Sequence, residues 1–171
     1  SVKEILGNHA FQATSASRPL WKQDGNGCYN SLFDGTDDSW ATAAIDLSAS
    51  DKIAVFAAVR KLSDAAAGIA VELSVNSNGT NGAFAIFAPN ATNTYAFRSR
   101  GSIEALPTTS ASYASPVSNV ITGIGDISGD IATLRVNGVQ VDQKTTDQGT
   151  GNYGNQPLYI GRRGGSTLPF N

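Results

Sequence analysis

Leu134-Arg135-Val136-Asn137-Gly138-Val139-Gln140-Val141 sets an Asn-Gly pair between two arms in which apolar residues alternate with polar ones. Asn and Gly tolerate the positive φ angles of a type I′ turn, so the stretch reads as a two-residue β-hairpin. The same punctuation runs outward from it. Val117 to Ile124, Ile131 to Val136 and Leu158 to Arg162 read as strands nearby. Ile53 to Arg60 is almost wholly apolar, the pattern of a strand covered on both faces. Gly68 to Val75 alternates Ile69, Val71, Leu73 and Val75 against small or polar neighbours, which puts Glu72 on the outer face. Ala83 to Ala88 and Thr94 to Ser99 form the next pair, separated by Pro89-Asn90-Ala91-Thr92-Asn93. Short strands with turn signals between them predict a β-sandwich rather than βαβ units. Helix signals are thin: Ser63 to Ala67 reaches one turn before Gly68 stops it, and Ser110 to Ser115 reads as a loop.

The 171 residues suit one domain, residues 1–171, and a chain of that length buries enough surface to need no covalent staple. Charged residues make up 15% of the chain and the net charge is -2. With no basic run beyond Arg60-Lys61 and Arg162-Arg163, nothing neutralises a phosphate backbone, so nucleic acid is not an expected partner. No apolar stretch approaches the roughly 20 residues of a membrane helix, so membrane insertion is not expected either. Cys28 is the sole cysteine, which excludes an intrachain disulfide and reads as a small buried filler.

Ser31-Leu32-Phe33-Asp34-Gly35-Thr36-Asp37-Asp38-Ser39-Trp40 resembles the "L-x-F-D-G-x-D-D" signature of laminin-G-like, concanavalin A-like lectin-glucanase domains of the bacterial and phage-encoded type. Gly7 to Thr14 with Ser17-Arg18-Pro19 resembles the lead-in to that signature. Leu134 to Val139, Leu158-Tyr159-Ile160-Gly161 and Leu168-Pro169-Phe170-Asn171 resemble later family motifs in the family's order. The resemblance implies an all-β, two-sheet antiparallel jelly-roll sandwich. It also implies a further strand after the motif that begins at Phe170. The expectation is therefore a sandwich lacking its last strand, whether as a fragment, with a partner strand in the gap, or with a different ending.

Read as chemistry, Phe33 belongs on an inward face, and Asp34-Gly35 turns the chain. Asp37 or Asp38 then accepts backbone N–H bonds that hold the start of the next strand. The alternative is a calcium site, in which Asp34, Asp37 and Asp38, with Asp24, gather beside loop carbonyls. Catalysis finds little support. The three glutamates, Glu4, Glu72 and Glu104, have no carboxylate two residues away, as a glycosidase strand needs. His9 is the lone histidine, in a polar segment, and reads as exposed or turn-bonded. Gly149-Thr150-Gly151-Asn152-Tyr153-Gly154 has the glycine spacing of a nucleotide loop but leads into a strand, not a helix.

Carbohydrate is the better ligand class, because sugar rings stack on aromatics while their hydroxyls bond to Asn, Asp and Arg. Trp21, Tyr29, Trp40, Tyr113 and Tyr153 fall in or beside predicted loops, whereas Phe56, Phe84 and Phe97 lie in strands and read as core. Asn152, Tyr153 and Asn155 with Arg162 and Arg163 form the most polar-aromatic neighbourhood. The expected site is thus Trp21, Tyr29, Trp40, Asn152, Tyr153, Asn155 and Arg162, with Asp34, Asp37 and Asp38 for a metal. The reading is a non-catalytic carbohydrate-recognition or surface-adhesion module, extracellular or on a virion surface, of a phage or prophage tail or an exported assembly. The alternative is a structural virion or appendage domain that packs on neighbouring subunits without a small ligand.

Overall fold

The computed structural model describes residues 7–164 and 167–171. Its strands, in chain order, are β1 (Leu20–Gln23), β2 (Tyr29–Leu32), β3 (Trp40–Asp46), β4 (Lys52–Lys61), β5 (Ile69–Leu73) and β6 (Ala83–Phe87). Then come β7 (Ala96–Arg100), β8 (Glu104–Ala105), β9 (Val117–Asp126), β10 (Ile131–Val136), β11 (Val139–Lys144) and β12 (Asn155–Ile160). A single 3₁₀ turn, Ser15–Ser17, is the one helical element among the described residues. Every pairing is antiparallel: β11-β10-β9-β4 in one sheet, β3-β12-β5-β6-β7-β8 in the other, and β1-β2 as a separate hairpin. This is the two-sheet jelly-roll sandwich that the sequence predicts.

The Asn-Gly hairpin forms as expected. Val136 pairs with Val139, and Asn137 and Gly138 take φ of 51° and 82°, the positive pair that a type I′ turn requires. The inter-sheet core is built from alternate side chains of both sheets, with Leu73, Phe84, Ile86 and Phe97 facing Ile121, Leu134 and Val136. Gly123 and Gly125 of β9 make room for larger partners. A Cβ on Gly123 would lie 2.2 Å from the Phe97 ring, and one on Gly125 would lie 2.0 Å from the Tyr153 hydroxyl.

Several expectations are corrected. β4 is not covered on both faces: it alternates exposed and half-buried residues, because the described strands form two layers and only the inner face of β4 meets the other one. Phe56 is accordingly 71% exposed rather than part of the core. Glu72 does leave the inter-sheet core, but it is fully buried under the loops that carry Ser77 and Arg163. Ser77 N–H donates to its Oε1 at 2.7 Å, and Arg163 Nε lies at 3.3 Å. Ser63 to Ala67 forms no helix; Asp64 there pairs with the buried Lys61 and accepts the Ser115 N–H. The last strand begins at Asn155, before Leu158, and stops at Ile160.

Candidate glycan and metal site

The aromatic residues of the expected site part company. Trp21 and Tyr29 lie on the β1–β2 hairpin, where the register places Trp21 opposite Ser31 and Tyr29 opposite Gln23. That diagonal puts both rings on one face, 5.8 Å apart between centroids and 12° from parallel. Both are about 60% exposed. Gln23 is exposed on the same face and Asp24 follows it in the turn, while the exposed Lys22 and Asn30, paired with each other, lie on the opposite face. Cys28 is exposed at its turn rather than buried, because the hairpin stands apart from both sheets.

Trp40 opens β3 and is buried, its Nε1 donating to Ser31 Oγ at 3.2 Å. It meets the hairpin through Ser31, on the face that carries Trp21 and Tyr29, but buried as it is it offers no platform. Tyr113 is half-buried, tilted against Tyr95 at 5.0 Å. Tyr153 is a correction: it is 1% exposed, packed edge-on to Phe84, its hydroxyl 2.7 Å from Ser99 Oγ. Burial pushes its phenol up to about 12, so it stays neutral in the core.

Asn152 and Asn155 sit at the far end of β3 and β12, where Asn155 pairs with Asp46 and Asn152 Nδ2 donates to the Ser48 carbonyl. Ile160, at the other end of β12, pairs with Trp40. With a rise of about 3.4 Å per residue, the two asparagines stand ~17 Å from the Trp40 end. Arg162 belongs to that end, its Nη1 donating to the Asp37 carbonyl at 3.1 Å. Arg163 points to Glu72 instead. The predicted neighbourhood of Asn152, Asn155 and the two arginines is therefore not one site.

The acidic residues do gather. Carboxylate oxygens of Asp34, Asp37 and Asp38 lie within 4.8 Å of one another. Asp24 is not among them: its Oδ1 accepts the Asn26 and Cys28 N–H groups in the β1–β2 turn. Asp34 Oδ1 accepts the Thr36 N–H at 2.8 Å, with those of Asp37 and Asp38 at longer range, which holds its pKa down. Asp34, more than its neighbours, ties the turn. Asp38 Oδ2 in turn accepts the Asp34 N–H, and Asp37 Oδ2 accepts the Ser17 hydroxyl at 2.6 Å. Burial, then the charge of Asp34, push the Asp38 pKa up. Each carboxylate keeps one oxygen outside these bonds, and hard oxygen donors of that kind suit calcium. A cavity of about 500 Å³ joins this cluster to the hairpin, bounded by Leu20, Leu32, Asp34, Asp38 and Arg18.

No protein-family model matches the sequence, and no curated protein matches it. Solved structures do resemble the fold. The CBM40 domain of Ruminococcus gnavus IT-sialidase bound to α2,3-sialyllactose is 17% identical, with a TM-score of 0.55 over 74% of this chain and 71% of that one. Its complex with α2,6-sialyllactose, also 17% identical, gives 0.54 over 74% and 72%. Domains LG4-5 of mouse laminin α1 give 0.53 at 10% identity, over 84% of this chain and 41% of that one. The chain thus shares the jelly-roll sandwich of a carbohydrate-binding module and of laminin G domains.

Proposed function

We propose that this chain is a non-catalytic carbohydrate-recognition or surface-adhesion domain whose sugar contact is the face of the β1–β2 hairpin carrying Trp21 and Tyr29. The observation that carries the reading is that stacked, exposed pair. Large rings held parallel in water lose apolar contact unless something covers them, and the apolar face of a sugar ring is the right size and flatness to do so. Gln23 on the same face and Asp24 in the adjoining turn supply donors and acceptors for its hydroxyls. The likeness to a CBM40 domain that binds sialyllactose supports the ligand class. The same reading takes a calcium ion at Asp34, Asp37 and Asp38, where it would relieve the mutual repulsion of the carboxylates and stiffen the base of the hairpin. Its setting is the outside of a cell or a virion, in a phage tail or an exported assembly, a proposal that rests on the sequence resemblance.

The test is a glycan array probed with the purified chain, first in calcium and then in chelator, with both sialyllactoses included. Binding to a related group of glycans supports the reading, and its loss in chelator assigns the carboxylates a metal. A blank array in both conditions favours the second reading, a structural domain packed on neighbouring subunits.

A further inference from the structure

The sheet β11-β10-β9-β4 turns one face to the core and the other to solvent. The register fixes which residues share the outer face, since side chains directly opposite on paired strands point the same way. Phe56 pairs with Thr122, Thr122 with Arg135 and Arg135 with Gln140, so one row crosses all four strands. Beside it on one side run Ala54, Ile124, Thr133 and Gln143; on the other lie Ala58 and Val120, then Arg60 and Ser118. A strand paired beyond either margin would widen the sheet and leave this face as it is.

Two features set the face apart from a plainly solvated one. Phe56, in the middle of its strand, is 71% exposed, the most open large apolar side chain among the described residues. Ala54, Ala58 and Val120 are exposed around it, so the ring stands on a shallow apolar floor. The second feature is free positive charge. Among the described residues, Lys22, Arg60 and Arg135 are the lysines and arginines whose side chains make no hydrogen bond or ion pair. Two of these three stand on this face, although the chain as a whole carries a net charge of -2. At its other end Lys52 is neutralised by Asp126. From strand spacing and rise, Arg135 stands ~10 Å across the sheet from Phe56, and Arg60 ~14 Å along β4.

We propose that this face binds an acidic polysaccharide, with sugar rings over Phe56 and its apolar floor and carboxylates or sulfates on Arg135 and Arg60. Each part of that ligand has a counterpart. The apolar side of a sugar ring covers the aromatic ring, and a guanidinium fork donates paired bonds to an acidic group. Gln140 and Ser118, exposed in the same rows as the two arginines, bond to hydroxyls. Protein is a poorer occupant. Three strand spacings by ~20 Å of strand give roughly 300 Å² of face, where a stable interface takes about 800 Å² from each partner. Nucleic acid is poorer still, since two cations and one ring do not track a phosphate chain. The face lies on a different sheet from the β1–β2 hairpin, and the inference stands without the reading given for that hairpin.

The experiment titrates the whole chain by NMR at low salt with three probes. These are a galacturonate oligomer, its methyl ester, which keeps the rings and loses the charge, and dextran sulfate. Binding of either acid should shift the amides of Ala54, Phe56, Thr122 and Arg135, and the methyl ester should bind about tenfold more weakly than the galacturonate. Arg135→Gln should weaken acid binding about tenfold, and Phe56→Ala comparably. Both side chains are exposed, so each variant should keep its fold, which a thermal melt checks. The proposal fails if neither acid binds, if both variants bind like the parent, or if the methyl ester binds equally. Equal binding of a thymidine oligonucleotide, or shifts confined to the Trp21–Tyr29 hairpin, overturns it as well. Shifts on the face that grow with protein concentration alone make a second copy the occupant and overturn it too.

Discussion

The hydroxyls of Tyr153 and Ser99 meet at 2.7 Å inside the core, joining the loop before β12 to β7 across the space left by Gly125. Gly125 lies on β9 in the opposite sheet, so the phenol is held where the two layers face each other. The tyrosine is thus a pin between layers, with no surface for a ligand.

The pin predicts a loss of stability in alkali. The folded phenol has its pKa raised to about 12 from an unfolded value of 10.0. Its contribution is complete below pH 10 and is lost as pH rises toward 12, because the unfolded chain releases that proton first. Two pH units correspond to ~3 kcal/mol. Urea melts at pH 8 and pH 11.5 should show Tyr153→Phe less stable by about 1 kcal/mol at the lower pH. The variant should also show a shallower decline above pH 10. An equal decline in both proteins refutes the assignment.

Trp21→Ala should lower glycan affinity at least tenfold, which is about 1.4 kcal/mol. Because the ring is 60% exposed, the same change should shift stability by less than ~1 kcal/mol. Titration of the glycan that an array identifies, beside a thermal melt, separates the two effects. A large fall in melting temperature with affinity intact would make the ring a packing element.

Asp38→Asn should have opposite effects with and without calcium. In chelator it removes a buried charge repelled by Asp34 and Asp37, so the melting temperature should rise by roughly 2–4 °C, about 1 kcal/mol for a domain of this size. In millimolar calcium the parent chain should gain stability as RT ln(1 + [L]/Kd), and the variant should not. A parent chain that melts identically in calcium and chelator has no metal there.

Gly123→Ala should destabilise by about 1–3 kcal/mol, since its Cβ would sit 2.2 Å from the Phe97 ring and a buried strand cannot yield that space freely. Denaturant unfolding of this variant with Phe97→Leu added back should recover part of the loss. If the single variant is as stable as the parent, the close approach is wrong.

The sequence alone determined the class of fold and much of its punctuation. Asn137-Gly138 can close a hairpin because a local steric preference decides it, and period-two alternation marks β5 and the arms of β10 and β11 for the same local reason. Asp34 as a turn residue was legible too, since its bonds reach only two to four residues along the chain. The β1–β2 hairpin and β3 carried no comparable signal: the hairpin buries almost nothing, and β3 has small residues at Ala41, Ala43 and Ala44.

What the tertiary structure decided is which apolar residues meet water and which polar ones do not. Composition could not show that the outer face of Ile53 to Arg60 would meet no second layer among the described residues and leave Phe56 exposed, because cover is a property of neighbours. Nor could it show that Tyr153, in a run of Gly and Asn, would turn inward while Trp21 and Tyr29 stacked in solvent. Burial depends on partners 54 residues away, as between Ser99 and Tyr153, and a local pattern does not reach that far.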